Sequence, residues 1–215
     1  MSPVPAREAT WAELLAHPEV TEHAELRSRF GLMAYHAGVE GGTFEVARDA
    51  AEAAGASLYA VTQPPLLRWH VASTLVDPSG SEMLGRFLDH VDVVVAVHGY
   101  GRLGRPRDIL VGGGNRILAA HVSACLRTHA PGFSVIDDVE EIPRQLRGLH
   151  RANPVNRTAG GGVQLELPPA ARGATPSPAD AHLPCFPPAG IIAGVAEAAR
   201  TWSGQPISNV PPERQ

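Results

Sequence analysis

The sequence contains no lysine: all 18 of its basic residues are arginine. A P-loop lysine, a Schiff-base lysine and a Ser-Lys dyad are therefore excluded. Cysteine is nearly absent. Cys125 and Cys185 are too few for a disulfide framework or a cysteine-built zinc site. No run approaches the roughly 18 consecutive apolar residues of a membrane span, and the opening MSPVPAREATWAELLAHPEV lacks the basic and apolar regions of a secretory signal. The expectation is a cytoplasmic protein with no membrane partner. Positive charge is also short, since 22 acidic residues leave a net charge of −4, which argues against a nucleic-acid partner.

What is present fits a globular enzyme-sized chain. Its 215 residues, at roughly 150 per domain, predict one α/β hydrolase-type domain over 1–215. Residues 1–29 read as an N-terminal extension and 168–190 as a Pro/Ala-rich loop. The extension carries one predicted helix, Thr10 to His17, with Thr10 and Glu13 spaced as a capping box. From Phe30 strand and helix signals alternate. FGLMAYH, SLYAVT, RWHVAST, DVVVAVHG, DILVGG, FSVID and GGVQLEL read as strands. Helices are expected from Thr43, as N-cap, to Gly55, over Ser81 to His90, Asn115 to His129 and Ile191 to Trp202. Such alternation predicts an α/β fold with an open, mixed, largely parallel sheet flanked by helices.

His36 and His98 each end an apolar strand run and are followed closely by glycine, as AYHAG and AVHGYG. In open α/β sheets, ligands bind outside the carboxyl ends of strands, so two histidines in this context weigh toward a shared site. One alone would need no more than a loop hydrogen bond. Glu40 lies four residues after His36, and two histidines with one carboxylate form the ligand set of catalytic zinc sites with an open position. Glu45, on the first helical turn, has a sufficient role against the helix dipole. Glu166 interrupts the apolar strand VQLEL. Alternation puts it on one face with Gln164, either on a half-exposed strand or lining a crevice, where it would suit proton transfer. Arg102, Arg105 and Arg107 follow His98, and Arg157 precedes the Glu166 strand; arginine recognises carboxylates bidentately. His70 is a candidate substrate group or a buried, hydrogen-bonded histidine.

Together YHAGVEGGTFEVA, WHVAST followed by DP, VVVAVHG, ILVGGGN and above all NPVNRTAGGGVQLELP resemble the poly-γ-glutamate hydrolase family over roughly residues 30 to 172. These are zinc peptidases of phages and bacteria, distantly similar to zinc carboxypeptidases. The resemblance implies a zinc-carboxypeptidase-like fold, zinc held by His36, Glu40 and His98, and Glu166 as catalytic carboxylate. The first loop is one residue shorter than the family's, which keeps Glu45 as the alternative carboxylate ligand. The expected reaction is zinc-dependent amide hydrolysis of γ-glutamyl linkages in a carboxylate-rich peptide. Arg157 would act beside Glu166, with Arg102, Arg105, Arg107, His70 and Asn156 binding substrate. A zinc deacylase or peptidase acting on small acyl-amino acids or γ-glutamyl peptides, or a catalytically silent metal-binding module of the same fold, are the alternatives.

Overall fold

The computed structural model describes residues 7–101, 104–175 and 183–204. In chain order the elements are β1 (Arg7–Glu8), α1 (Trp11–Leu15), β2 (Thr21–Glu25), β3 (Phe30–Ala37), α2 (Thr43–Ala54), β4 (Ser57–Thr62), β5 (Trp69–His70), α3 (Glu82–His90), β6 (Val93–Gly99), β7 (Asp108–Val111), α4 (Arg116–His129), β8 (Ser134–Ile136), β9 (Gly162–Leu167) and α5 (Ala189–Thr201). Among the described residues, no helix is long and apolar enough to cross a membrane.

Seven strands form one sheet in the order β2-β4-β3-β6-β9-β7-β8. Strands β4, β3, β6 and β9 run parallel, while β2 lies antiparallel on β4 and β7 antiparallel on β9. The fold is thus the mixed, mostly parallel α/β architecture expected. From β3 the chain steps to β4 on one side and later to β6 on the other. The carboxyl ends of β3 and β6 therefore flank a topological switch point, where such sheets open a crevice.

Side-chain parity decides the two faces. Leu32, Ala34, Val95, Val97, Val163 and Leu165 pack against Val46, Ala50, Leu118, Val122, Ile191 and Val195 of α2, α4 and α5. Met33, Tyr35, Val94 and Ala96 pack on the opposite face with Trp11 and Leu14 of α1 and Leu84 and Phe87 of α3. With both faces covered, the parallel strands read as continuous apolar runs.

The capping box at α1 is present in both directions, Ser81 and Asn115 cap α3 and α4, and β9 begins at Gly162. Three readings are corrected. The N-cap of α2 is Gly42 at φ +87°, not Thr43; a Cβ there would collide with the Arg172 carbonyl oxygen. Thr43 instead donates its hydroxyl to the Glu40 carbonyl at 2.8 Å, fixing the loop that carries Glu40. RWHVAST supplies only β5, which pairs with β1 in a separate two-stranded sheet. Residues 1–29 hold more than a helix, because TEHAE forms the edge strand β2. Its largely polar residues, two exposed and three half-buried, carry no apolar period, as suits an edge that must not recruit further strands.

Candidate functional site

The switch-point crevice is a cavity of about 440 Å³ whose walls include His36, Glu40, His70, His98, Gln164 and Glu166. His98 and Glu166 are register partners on the parallel pair β6–β9, so parity places both on the same face. Tyr35 and His36 are consecutive, and regular alternation would send them to opposite faces. The pairing of β3 with β4 slips between Ala34 and Ala37, however, and such an irregularity re-aims a strand's side chains. The rings of Tyr35 and His36 both lie against His98, with centroids at 4.9 Å in each case.

Glu40 sits between the two histidines. Its Oε1 is 3.1 Å from His36 Nδ1, its Oε2 is 3.4 Å from His98 Nδ1, and Oε2 accepts the Gly99 backbone N–H at 2.9 Å. His36 Nε2 is 2.7 Å from the Val71 carbonyl oxygen. A carbonyl can only accept, so that nitrogen carries the proton, and in neutral His36 the Nδ1 lone pair faces a carboxylate oxygen. That arrangement is repulsive unless a cation or proton lies between them. His98 repeats the pattern: its Nε2 contacts Tyr35 Oη at 2.9 Å, while Tyr35 donates onward to Asn153 Oδ1 at 3.4 Å. Imidazoles held at one nitrogen by an oxygen, with the other aimed at a carboxylate, are oriented as metal ligands are.

The hydrogen-bond chain continues to the second carboxylate. Asn153 Nδ2 donates to Gln164 Oε1 at 2.6 Å, and Gln164 Nε2 donates to Glu166 Oε1 at 2.8 Å. His36, His98 and Glu166 are only 4%, 3% and 3% exposed. Burial, opposed by His98 but reinforced by Glu40, pushes the Glu166 carboxyl up to about 6. Burial alone would raise Glu40 as well, but the flanking His36 and His98 hold it far below the carboxylate range. Burial works instead against protonation of His98, but Glu40, aided by Glu166, outweighs it and raises His98.

Of the expected site residues, His36, Glu40, His98, Glu166 and His70 converge. The His70 ring is 4.8 Å from that of His36. One ligand atom each from His36, Glu40 and His70 can be chosen so that all lie within 4.8 Å, which makes this trio able to hold a metal ion. The side chain of His70 is nevertheless 31% exposed and its Nδ1 faces Glu8 at 3.4 Å. Glu45 stands on the first turn of α2, away from the cavity walls.

The arginines and Asn156 do not gather there. Arg105 pairs with Asp108 at 3.1 Å, and Arg107 donates to the Gly132 carbonyl at 3.0 Å. Arg157 contacts Asp77 at 3.4 Å and lines a different depression with Gly85, Leu88 and Arg151. Asn156 spends its amide on Gly148, His150 and the Gly114 N–H, which fixes the loop carrying Asn153. Arg102 lies outside the described residues. The cavity takes its arginine from another loop: Arg144, with Gln145, Leu149 and His150, also lines it. Its side chain is exposed and makes no hydrogen bond or ion pair among the described residues. Sequence reasoning missed Arg144, Asn153 and Tyr35. The last is hidden as one more core aromatic in FGLMAYHA.

The sequence profile of the poly-gamma-glutamate hydrolases matches residues 10–176. The chain belongs to the poly-γ-glutamate hydrolase family. A bacteriophage poly-γ-glutamate hydrolase superposes with a TM-score of 0.66 at 25% identity, covering 85% of this chain and 86% of that one. The zinc-free form of YndL also gives 0.66, at 21% identity over 89% and 93% of the two chains. A carboxypeptidase-like protein of Burkholderia mallei shares the fold at a TM-score of 0.50 and 10% identity, covering 88% of this chain and 66% of that one. The SPbeta prophage-derived protein YoqZ of Bacillus subtilis (strain 168) is 32% identical over 133 residues, which is 60% of this chain and 45% of YoqZ. The chain thus spans under half the length of that curated relative.

Proposed function

We propose that this member of the poly-γ-glutamate hydrolase family is a zinc-dependent amide hydrolase that cleaves γ-glutamyl linkages in a carboxylate-rich peptide. The observation that carries this reading is the pair of imidazole Nδ1 atoms facing the two oxygens of Glu40, with Glu166 in register beside His98. His36, Glu40 and His98 fit zinc in ligand type and number. Their outer nitrogens are anchored by the Val71 carbonyl and Tyr35. His70 borders this set from the more exposed side. When bound, zinc would supply Lewis acidity that acidifies water and polarises a carbonyl.

The remaining chemistry belongs to the chain. Glu166 accepts the proton of the attacking water and returns it to the leaving amine nitrogen. Burial raises its pKa in the metal-free protein yet leaves it ionised at neutral pH, the form a general base requires. Gln164 holds Oε1 and so sets the orientation of the carboxylate. Arg144, charged, lining the cavity and without a side-chain partner among the described residues, takes a substrate carboxylate bidentately.

The test is elemental analysis of the purified protein together with a release assay on α- and γ-linked glutamate oligomers, with and without chelator. Stoichiometric zinc and chelator-sensitive cleavage of the γ-linked oligomers alone supports the reading. Zinc without cleavage leaves a silent binding module, and cleavage that survives full metal removal defeats the metal assignment.

A further inference from the structure

Arg172, on the short 3-10 turn Pro169–Arg172 that follows β9, is only 7% exposed. Among the described residues no carboxylate lies within ion-pair distance of it. Its guanidinium is satisfied by backbone carbonyls instead. Nε donates to Leu167 at 3.1 Å, Nη1 to Gly41, and Nη2 to Tyr100 at 3.5 Å.

Each acceptor stands just beyond one member of the site. Gly41 follows Glu40, Tyr100 is two residues past His98, and Leu167 follows Glu166. The plane of the guanidinium also presses on Gly99, where a Cβ would come within 2.6 Å of Arg172 Cζ. That same Gly99 offers its N–H to Glu40 Oε2. The Arg172 carbonyl closes against Gly42, so one residue braces the Glu40 loop with both its side chain and its backbone.

Burying a cation without an anionic partner is costly, and a well-packed apolar residue is often no less stabilising at such a position. Stability alone is thus a poor reason for an arginine here. We infer that Arg172 is a positioning residue: its buried guanidinium ties together the three segments that carry Glu40, His98 and Glu166 and so keeps those side chains converged. The inference rests on the proposed reading of the site.

The experiment compares wild type with Arg172→Met, Arg172→Lys and Gly99→Ala. Three measurements are made: zinc affinity by chelator competition, kcat and KM on γ-linked glutamate oligomers, and amide exchange at Gly99 in the metal-free protein. For Arg172→Met we expect at least tenfold weaker zinc binding, kcat lowered on the order of tenfold with KM little changed, and faster exchange at Gly99. Arg172→Lys keeps the charge but cannot span three carbonyls, so it should recover these values only in part. Gly99→Ala retains the arginine yet displaces its guanidinium, and it decides the matter if Arg172→Met does not fold. Folded variants with wild-type zinc affinity, kcat and Gly99 exchange overturn the clamp. A wild-type protein that binds no zinc and cleaves nothing overturns the site reading instead, and the exchange measurement still reports on the clamp.

Discussion

Replacing Glu166 with glutamine separates proton transfer from every other role of that side chain. The substitution preserves shape, and the new amide oxygen can still accept from Gln164 Nε2, as Glu166 Oε1 does at 2.8 Å. It removes the capacity to take a proton at neutral pH. Loss of a general base costs on the order of 10²–10⁴ in rate, or about 3–5 kcal/mol of barrier at 1.36 kcal/mol per decade. Stability should move the opposite way. With a folded-state pKa of about 6 against the ordinary glutamate value of 4.5, ionising Glu166 in the metal-free protein costs the fold on the order of 2 kcal/mol at neutral pH. The penalty is absent below the unfolded value. It grows as pH rises toward 6 and is complete above it. The variant should therefore melt higher than wild type at pH 7.5 and no higher at pH 4. In wild type, the acid limb of kcat/KM should report the ionisation of Glu166, and that limb should vanish from the residual activity of the variant. Steady-state rates on γ-linked oligomers, zinc content and circular-dichroism melts at both pH values check the set. A folded, zinc-loaded Glu166→Gln protein working within a few-fold of wild type would falsify the assignment of Glu166 as base.

Three further outcomes are expected. His36→Ala and His98→Ala should each lose most bound zinc in elemental analysis, whereas His70→Ala should keep it; the reverse ranking of His98 and His70 would move the third ligand to β5. Glu40→Gln should weaken zinc affinity at least tenfold and Glu45→Gln should leave it within twofold, as read by chelator competition. Arg144→Gln should raise KM for acidic oligomers about three- to tenfold with kcat little changed, the size of an exposed charge-assisted contact of roughly 1 kcal/mol. Arg157→Gln, whose partner is Asp77, should change KM by less than twofold.

Much of this site was legible along the chain because its chemistry sits at strand ends. A charged residue inside VQLEL, or a histidine closing VVVAVHG, stands out against an apolar run. The period-2 rule then puts Gln164 and Glu166 on one face, as found. The failures have physical causes. Strand β2 offers the core only one apolar residue, Ala24, so no period betrays it. The placement of His36 beside Tyr35 and His98 depends on a register slip that alternation cannot foresee. Arg102, Arg105 and Arg107 follow His98 closely in sequence, yet Asp108 and the Gly132 carbonyl engage the latter two. The cavity's arginine comes from position 144, and only the folded chain brings that loop to the cavity that Glu166 also lines.

The small sheet of β1 and β5 gives the crevice walls of unequal stiffness. His98 and Glu166 belong to strands paired on both sides in the middle of a seven-stranded sheet. His70 is held by a two-residue strand whose neighbour is secured by the bonds from Arg7 N to Arg68 O and Ala9 N to His70 O, at 2.8 and 2.9 Å, and by Arg7 stacked over Trp69. Val71, whose carbonyl anchors His36, comes directly after that strand. The backbone of Trp69 is tied a second time, to the side-chain amide of Gln63 at 2.7 and 2.8 Å, but so short a strand should still open more often than the central strands come apart. Breathing of the pocket should therefore be one-sided, with β5 swinging while the β6–β9 floor stays fixed. The softest fastening of the His36 ring then depends on the first described residues of the chain.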